Sequence, residues 1–146
     1  MKYLVKNKEE TKDLAIKIAQ SLKGGEVIFA KGPLGSGKTY FFQCLGKALK
    51  VNGIINSPTF NLIKIYFGKI GKKDLSIYHV DCYRLEDVPE RNKDLGLEEV
   101  IGEENTLTYI EWPMYASTYI KEFSPRMEIE FKYIDENQRE VIIDEK

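Results

Sequence analysis

Gly32-Pro-Leu-Gly-Ser-Gly-Lys38-Thr39 decides the reading of this chain. It fits the pattern GxxxxGK[ST], whose glycines let successive backbone N–H groups turn inward and form an anion nest at a helix N-terminus. The flanks agree. Glu26–Ala30 is a short apolar run, as in a strand buried on both faces, and Thr39–Leu49 has helical spacing. Strand, glycine-rich loop and helix in that order imply a nucleotide. Gly32, Pro33, Leu34, Gly35, Ser36 and Gly37 would form the cradle, with Tyr40 as a further contact position. Lys38 would reach the β- and γ-phosphates, and the Thr39 hydroxyl would ligate Mg²⁺.

Outward from the loop, Tyr3–Lys6 alternates like a strand, and Thr11–Leu22 is an amphipathic helix with Leu14, Ile18 and Leu22 on one stripe. Gly24-Gly25 ends it. Asn61–Phe67 and Leu75–Val80 flank a polar turn, Gly68–Asp74, and predict an antiparallel hairpin. Glu86–Gly102 is charged and reads as helical pieces broken near Gly96. Thr106–Ile110 is a strand closed by Glu111-Trp112-Pro113, and Met114–Phe123 a short helix. Pro125–Tyr133 and Arg139–Ile143 form a last hairpin around Asp135-Glu136-Asn137. The expected fold is α/β, and residues 1–146 are expected to form a single domain.

Composition removes several classes. The 146 residues are 42% hydrophobic, with 22 basic against 23 acidic side chains, which argues against a protein that coats nucleic acid or anionic lipid. Arginine occurs only at 84, 91, 126 and 139, so chemistry needing several bidentate cations is short of material. Cys44, Cys82 and the single His79 cannot build a zinc site. The N-terminus lacks an apolar h-region and no run approaches a membrane span of ~18 residues. A cytoplasmic protein without a membrane partner is expected.

Hydrolysis needs an acid beside the phosphate loop, at the end of a neighbouring strand. Asp81 and Glu111 both qualify. Glu111 suits the Walker-B role, holding Mg²⁺ directly or through its water. His79 and Asp81 share a face by alternation and read as a structural hydrogen-bonded pair. Arg84 is either a neutraliser of transition-state charge or a surface ion pair. Lys69, Lys72 and Lys73 read as a solvated turn.

Four motifs together resemble one family. Gly32-x-Leu-Gly-Ser-Gly-Lys-Thr39, Ser57-Pro-Thr-Phe60, His79-x-Asp-x-Tyr-Arg-Leu85 and Glu111-Trp-Pro113 stand in the order and spacing of the TsaE (YjeE) proteins, and Leu95-Gly-Leu-Glu-Glu99 is similar to the family too. The likeness runs from about Thr11 to Tyr115. It implies a three-layer P-loop NTPase-like domain with a central mixed sheet flanked by helices. It also implies an ATPase that supports threonylcarbamoyl modification of adenosine 37 in tRNAs. The implied partners are the transferase subunit and its inactive paralogue (TsaD and TsaB type proteins), with tRNA met through that complex.

Carried over, Lys38 and Thr39 hold phosphate and Mg²⁺, and Glu111 resembles the metal-associated acid. Asp81 resembles the second acid, Thr59 the switch-type threonine, and Trp112 lies near the nucleotide. Pro33 and Tyr40 depart from the family pattern, which usually has an acid and a second Thr there, and Cys82 replaces a commoner apolar residue. Three other functions compete with this one. A GTPase would need Gly where Arg84 ends Asp81-Cys-Tyr-Arg84. A small-molecule or nucleoside kinase would want more cations and a lid. A nucleotide-dependent interaction module with negligible hydrolysis would share the loop and lack the turnover.

Overall fold

The computed structural model describes residues 1–56 and 62–146. Its strands are β1 (Lys2–Val5), β2 (Val27–Lys31), β3 (Ile63–Ile70), β4 (Lys73–Asp81), β5 (Thr106–Glu111), β6 (Met127–Tyr133) and β7 (Arg139–Glu145). The helices are α1 (Lys8–Ser21), α2 (Lys38–Ala48) and α3 (Thr118–Lys121). All seven strands join one sheet in the order β1-β7-β6-β2-β5-β4-β3. The centre is parallel: β2 pairs with β5 and β6, and β4 pairs with β5. Both margins are antiparallel. The sheet is therefore mixed, as expected.

β2 reads as an unbroken apolar run because both its faces are covered. Ile28 and Ala30 point to one side with Ile77, Tyr109, Ile129 and Phe131, under α1 and α2. Val27 and Phe29 point to the other with Val80, Ile110, Leu97 and Ile120. That second layer is thin. Glu86–Gly102 resolves into 3₁₀ turns rather than helical pieces, at Glu90–Asn92 and Leu97–Glu99. Pro89 and a left-handed Gly96 (φ 74°) interrupt any longer winding. The expected helix over Met114–Phe123 divides into a 3₁₀ turn, Pro113–Tyr115, and the four-residue α3.

Two boundaries moved for local reasons. α1 starts before its apolar stripe because the Asn7 side chain accepts from Glu10 N–H at 2.9 Å, while Glu10 reaches back to Lys6 N–H at 3.0 Å. This reciprocal cap lies outside the hydrophobic period that predicted the helix. The β3–β4 ladder extends to Ile70 opposite Lys73, so the expected seven-residue turn shrinks to Gly71-Lys72. Gly71 (φ 61°) takes the first turn position, where a tight hairpin favours positive φ.

Candidate nucleotide site

The strand register assembles the site. Asp81 stands opposite Glu111 across β4 and β5, and Ala30 stands opposite Glu111 across β2 and β5. Both carboxylates thus emerge at the carboxyl ends of parallel strands, beside the point where β2 hands the chain to the loop. Crevices at that edge are where open α/β sheets bind ligands. Here the cleft holds about 490 Å³ and is lined by the loop, Asp81, Glu111 and Trp112. Asn7, Lys8 and Thr11 close it on one side, Glu136, Asn137 and Arg139 on another.

The loop needs its glycines for different reasons. Gly35 (φ 76°) and Gly37 (φ 105°) adopt left-handed backbone with open space around them. Gly32 is also a close approach, since a Cβ there would meet Phe131 O at 2.6 Å and Ser36 Oγ at 2.7 Å. Pro33 contributes its carbonyl, which accepts from Ser36 N–H and from Lys38 Nζ at 3.1 Å. Leu34 exposes its side chain to solvent. Ser36 is buried behind the loop.

Lys38 is buried, and its ammonium donates to the carbonyls of Gly32 and Pro33. It also sits 4.2 Å from the centre of the Trp112 ring. Burial holds its pKa below the usual lysine range, while Glu111 and Asp81 pull it back up. Buried Tyr109 fixes this first turn of α2 by donating its hydroxyl to Lys38 O at 2.9 Å. Thr39 Oγ1 lies 3.3 and 3.5 Å from the two Glu111 carboxylate oxygens. Tyr40 turns to α1, where its hydroxyl donates to Lys8 O at 3.4 Å.

His79 corrects the sequence reading. It pairs with Glu111, not Asp81: Nε2 lies 2.6 Å from Glu111 Oε2, with both side chains buried. His79 stands opposite Tyr109, so Glu111, two residues along β5, is its diagonal neighbour on the same face. Asp81 turns to its own chain and accepts from Tyr83 N–H at 3.0 Å. Burial, with Glu111 adding to it, raises the Asp81 pKa against the opposing pull of that N–H, His79 and Lys38. Cys82 is buried in the second core layer, and burial pushes its thiol up to about 12, which disfavours the reactive thiolate.

Trp112 adopts left-handed backbone (φ 56°, ψ 51°), which is an outlier for a bulky side chain. The turn aims its ring at the cleft, between Lys38, Tyr115 (5.9 Å, stacked) and Tyr83 (5.0 Å). Arg139 is the residue that sequence reasoning missed. Its guanidinium donates to Ser36 O and Gly35 O, both at 3.1 Å, tying the β6–β7 hairpin to the phosphate loop. Nothing local marks it, because the contacting residues are 103 and 104 positions away.

Arg84 sits in the 3₁₀ turn after Asp81 and does not line the cleft. Lys69 and Lys73 lie at the far end of β3 and β4, in ion pairs with Asp74 (3.1 Å) and Glu104 (3.6 Å). Thr59 falls outside the described residues. No helix among the described residues is long and apolar enough to cross a membrane.

Known proteins are similar to this chain in sequence and in fold. The family model for the threonylcarbamoyl adenosine biosynthesis protein TsaE matches residues 5–141. A Rickettsia felis protein named tRNA threonylcarbamoyladenosine biosynthesis protein TsaE is 40% identical, over 93% of this chain and 75% of the relative. Proteins of that name from Bacillus subtilis (36%, covering 97% and 83%) and Aquifex aeolicus (38%, covering 96% and 92%) are similar throughout. The crystal structure of Bacillus subtilis YdiB superposes with a TM-score of 0.74 at 30% identity, over 97% of this chain and 82% of that one. With the match spanning the phosphate loop, both acidic strand ends and the last hairpin, the chain belongs to the TsaE family of threonylcarbamoyl adenosine biosynthesis proteins.

Proposed function

We propose that residues 1–146 act as one ATPase domain that binds ATP with Mg²⁺ in this cleft and hydrolyses it. The observation that carries this is the approach of the Thr39 hydroxyl to the Glu111 carboxylate, 3.3 Å, at the base of a GxxxxGKT loop. Two oxygens in adjacent positions around Mg²⁺, each at 2.0–2.1 Å, are about 3 Å apart, so the pair fits that cation with little adjustment. No cluster of three or more His, Cys, Asp or Glu among the described residues could hold a metal alone. That suits Mg²⁺ held by few protein oxygens and completed by phosphate and water. Bound there, Mg²⁺ would neutralise charge on the β- and γ-phosphates.

The chain's own groups take the remaining roles. The cradle of Gly32–Gly37 receives the phosphates, and Lys38 exchanges its two loop carbonyls for phosphate oxygens. Asp81, next to Glu111 and with its pKa raised chiefly by burial, orients water or the outer shell of the metal. Thr59 closes over the γ-phosphate. Trp112 lies against the nucleotide, and Tyr40 borders it from the start of α2.

In the cell, ATP turnover would support the TsaD and TsaB type partners in threonylcarbamoyl modification of adenosine 37, with tRNA contacted through that complex. Single-turnover phosphate release by the purified chain, with and without those partners, tests the reading. Release is expected in their presence and slower without them. Its absence in both settings overturns the ATPase assignment.

A further inference from the structure

The buried His79 is more than core. Its ring stacks on Phe42 at 4.0 Å between centroids and meets Tyr109 edge-on at 5.7 Å, so its plane is fixed. Nε2 is 2.6 Å from Glu111 Oε2, whereas Nδ1 is buried with no hydrogen-bond partner among the described residues. A hydrogen on Nδ1 would be a buried donor without an acceptor, which folded proteins rarely tolerate. A bare Nδ1 costs less. The hydrogen therefore belongs on Nε2, where it is donated to Glu111. Among the described residues, the side chains that hydrogen-bond the Glu111 carboxylate are His79 and Thr39, and these two contacts orient it toward the cleft.

We propose that His79 is the positioning residue for Glu111: its stacked imidazole, with hydrogen on Nε2, holds Oε2 and so presents the carboxylate to a divalent cation beside Thr39. This rests on the proposed metal role of Glu111. His79 is not among the residues that line the cleft, so its loss should leave metal-free nucleotide binding in place. Partners behind a metal-binding group commonly change metal affinity 10–100-fold.

The wild-type chain gives the first test. Nitrogen NMR of His79 should show a protonated Nε2 and a bare Nδ1; the opposite tautomer overturns the proposal without any variant.

Affinity supplies the second test, read as Mn²⁺ binding by electron paramagnetic resonance in the presence of a non-hydrolysable ATP analogue. His79→Asn cannot reach Glu111, and His79→Phe keeps the stack on Phe42 without the donor. Either should weaken Mn²⁺ at least tenfold, with metal-free analogue affinity within threefold of wild type. His79→Gln, whose amide nitrogen reaches the Nε2 position, should recover to within about threefold of wild-type Mn²⁺ affinity. Equal loss in all three variants, or no loss in a folded Asn or Phe variant, overturns the positioning role. Glu111→Gln separates the two levels of the argument. If that variant binds Mn²⁺ normally, the metal assignment itself fails; if it does not and the His79 variants do, only this inference fails.

Discussion

Arg139 offers a sharp test of how the phosphate loop keeps its shape. Its Nε and one terminal nitrogen each donate to a loop carbonyl at 3.1 Å, while the other terminal nitrogen holds the Asp135 and Gln138 carbonyls of its own turn. Peptide groups whose carbonyls are held from outside direct their N–H groups inward, toward the anion. Arg139→Lys keeps the charge but has no planar fork to bridge successive carbonyls. Both loop bonds are ordinary in length and the guanidinium is partly exposed, so each is worth about 0.5–1 kcal/mol and the pair about 1–2 kcal/mol. At about 1.4 kcal/mol per tenfold, nucleotide binding should weaken roughly 5- to 30-fold. Calorimetric titration with ADP in the absence of divalent cation isolates the loop from the metal. The loss should appear as a less favourable binding entropy, because the nucleotide must now order the loop. Arg139 also lies over Tyr133 at 4.6 Å, so Tyr133→Ala serves as a control that removes the stacking alone. ADP affinity within twofold of wild type in a folded Arg139→Lys protein would refute the clamp.

Three further outcomes are expected. Gly32→Ala should lose about 2–4 kcal/mol in urea unfolding, because its Cβ would strike Phe131 O, whereas Gly35→Ala should lose only about 1 kcal/mol from its backbone angle; equal losses would contradict the distinction. Asp81→Asn should make the nucleotide-free protein more stable at neutral pH while slowing phosphate release. Burial raises the folded-state pKa, so the contribution of Asp81 is full below the ordinary carboxylate range and is lost as pH rises through the folded value. Melting curves of the two proteins should therefore converge in acid, and a variant less stable at pH 7 would show the sign to be wrong. Lys38→Ala should reduce ATP affinity at least a hundredfold, while Glu111→Gln should keep metal-free affinity within about fivefold and lose turnover; parallel losses would merge two roles that the geometry separates.

What could be read from sequence was local. The β2–loop–α2 unit is contiguous, so period, glycine spacing and the Lys38-Thr39 pair describe it fully. Asp81 and Glu111 were legible because each ends an apolar strand. Their adjacency was not, since it depends on β4 and β5 lying in parallel register across the 25 positions between Asp81 and Thr106. The partner of His79 was misread for the same reason: alternation gives the face of a strand but not which strand lies beside it. Arg139 was invisible because its partners are brought to it by β6, which pairs with β2 and carries the last hairpin beside the loop.

These contacts give the arginine shortage a physical meaning. Arg126 is bound to Glu128 at 2.7 Å, and Arg139 is spent on its own turn and the loop carbonyls. Arg84 and Arg91 belong to 3₁₀ turns outside the cleft lining. Lys38 is then the cation best placed for the phosphates, and in the free protein it is bound to carbonyls that it must release. Two adjacent carboxyl groups face it. A site so arranged would bind phosphate through backbone N–H groups and Mg²⁺, and among the described cleft-lining residues only Lys8 and the engaged Arg139 add positive charge to meet what develops as the γ-phosphoryl departs. Each arginine finger in related chemistry is worth 10³–10⁵ in rate. The proposed dependence of turnover on partner proteins fits that arrangement: a cation brought by a partner would add the positive charge that the described cleft holds sparingly.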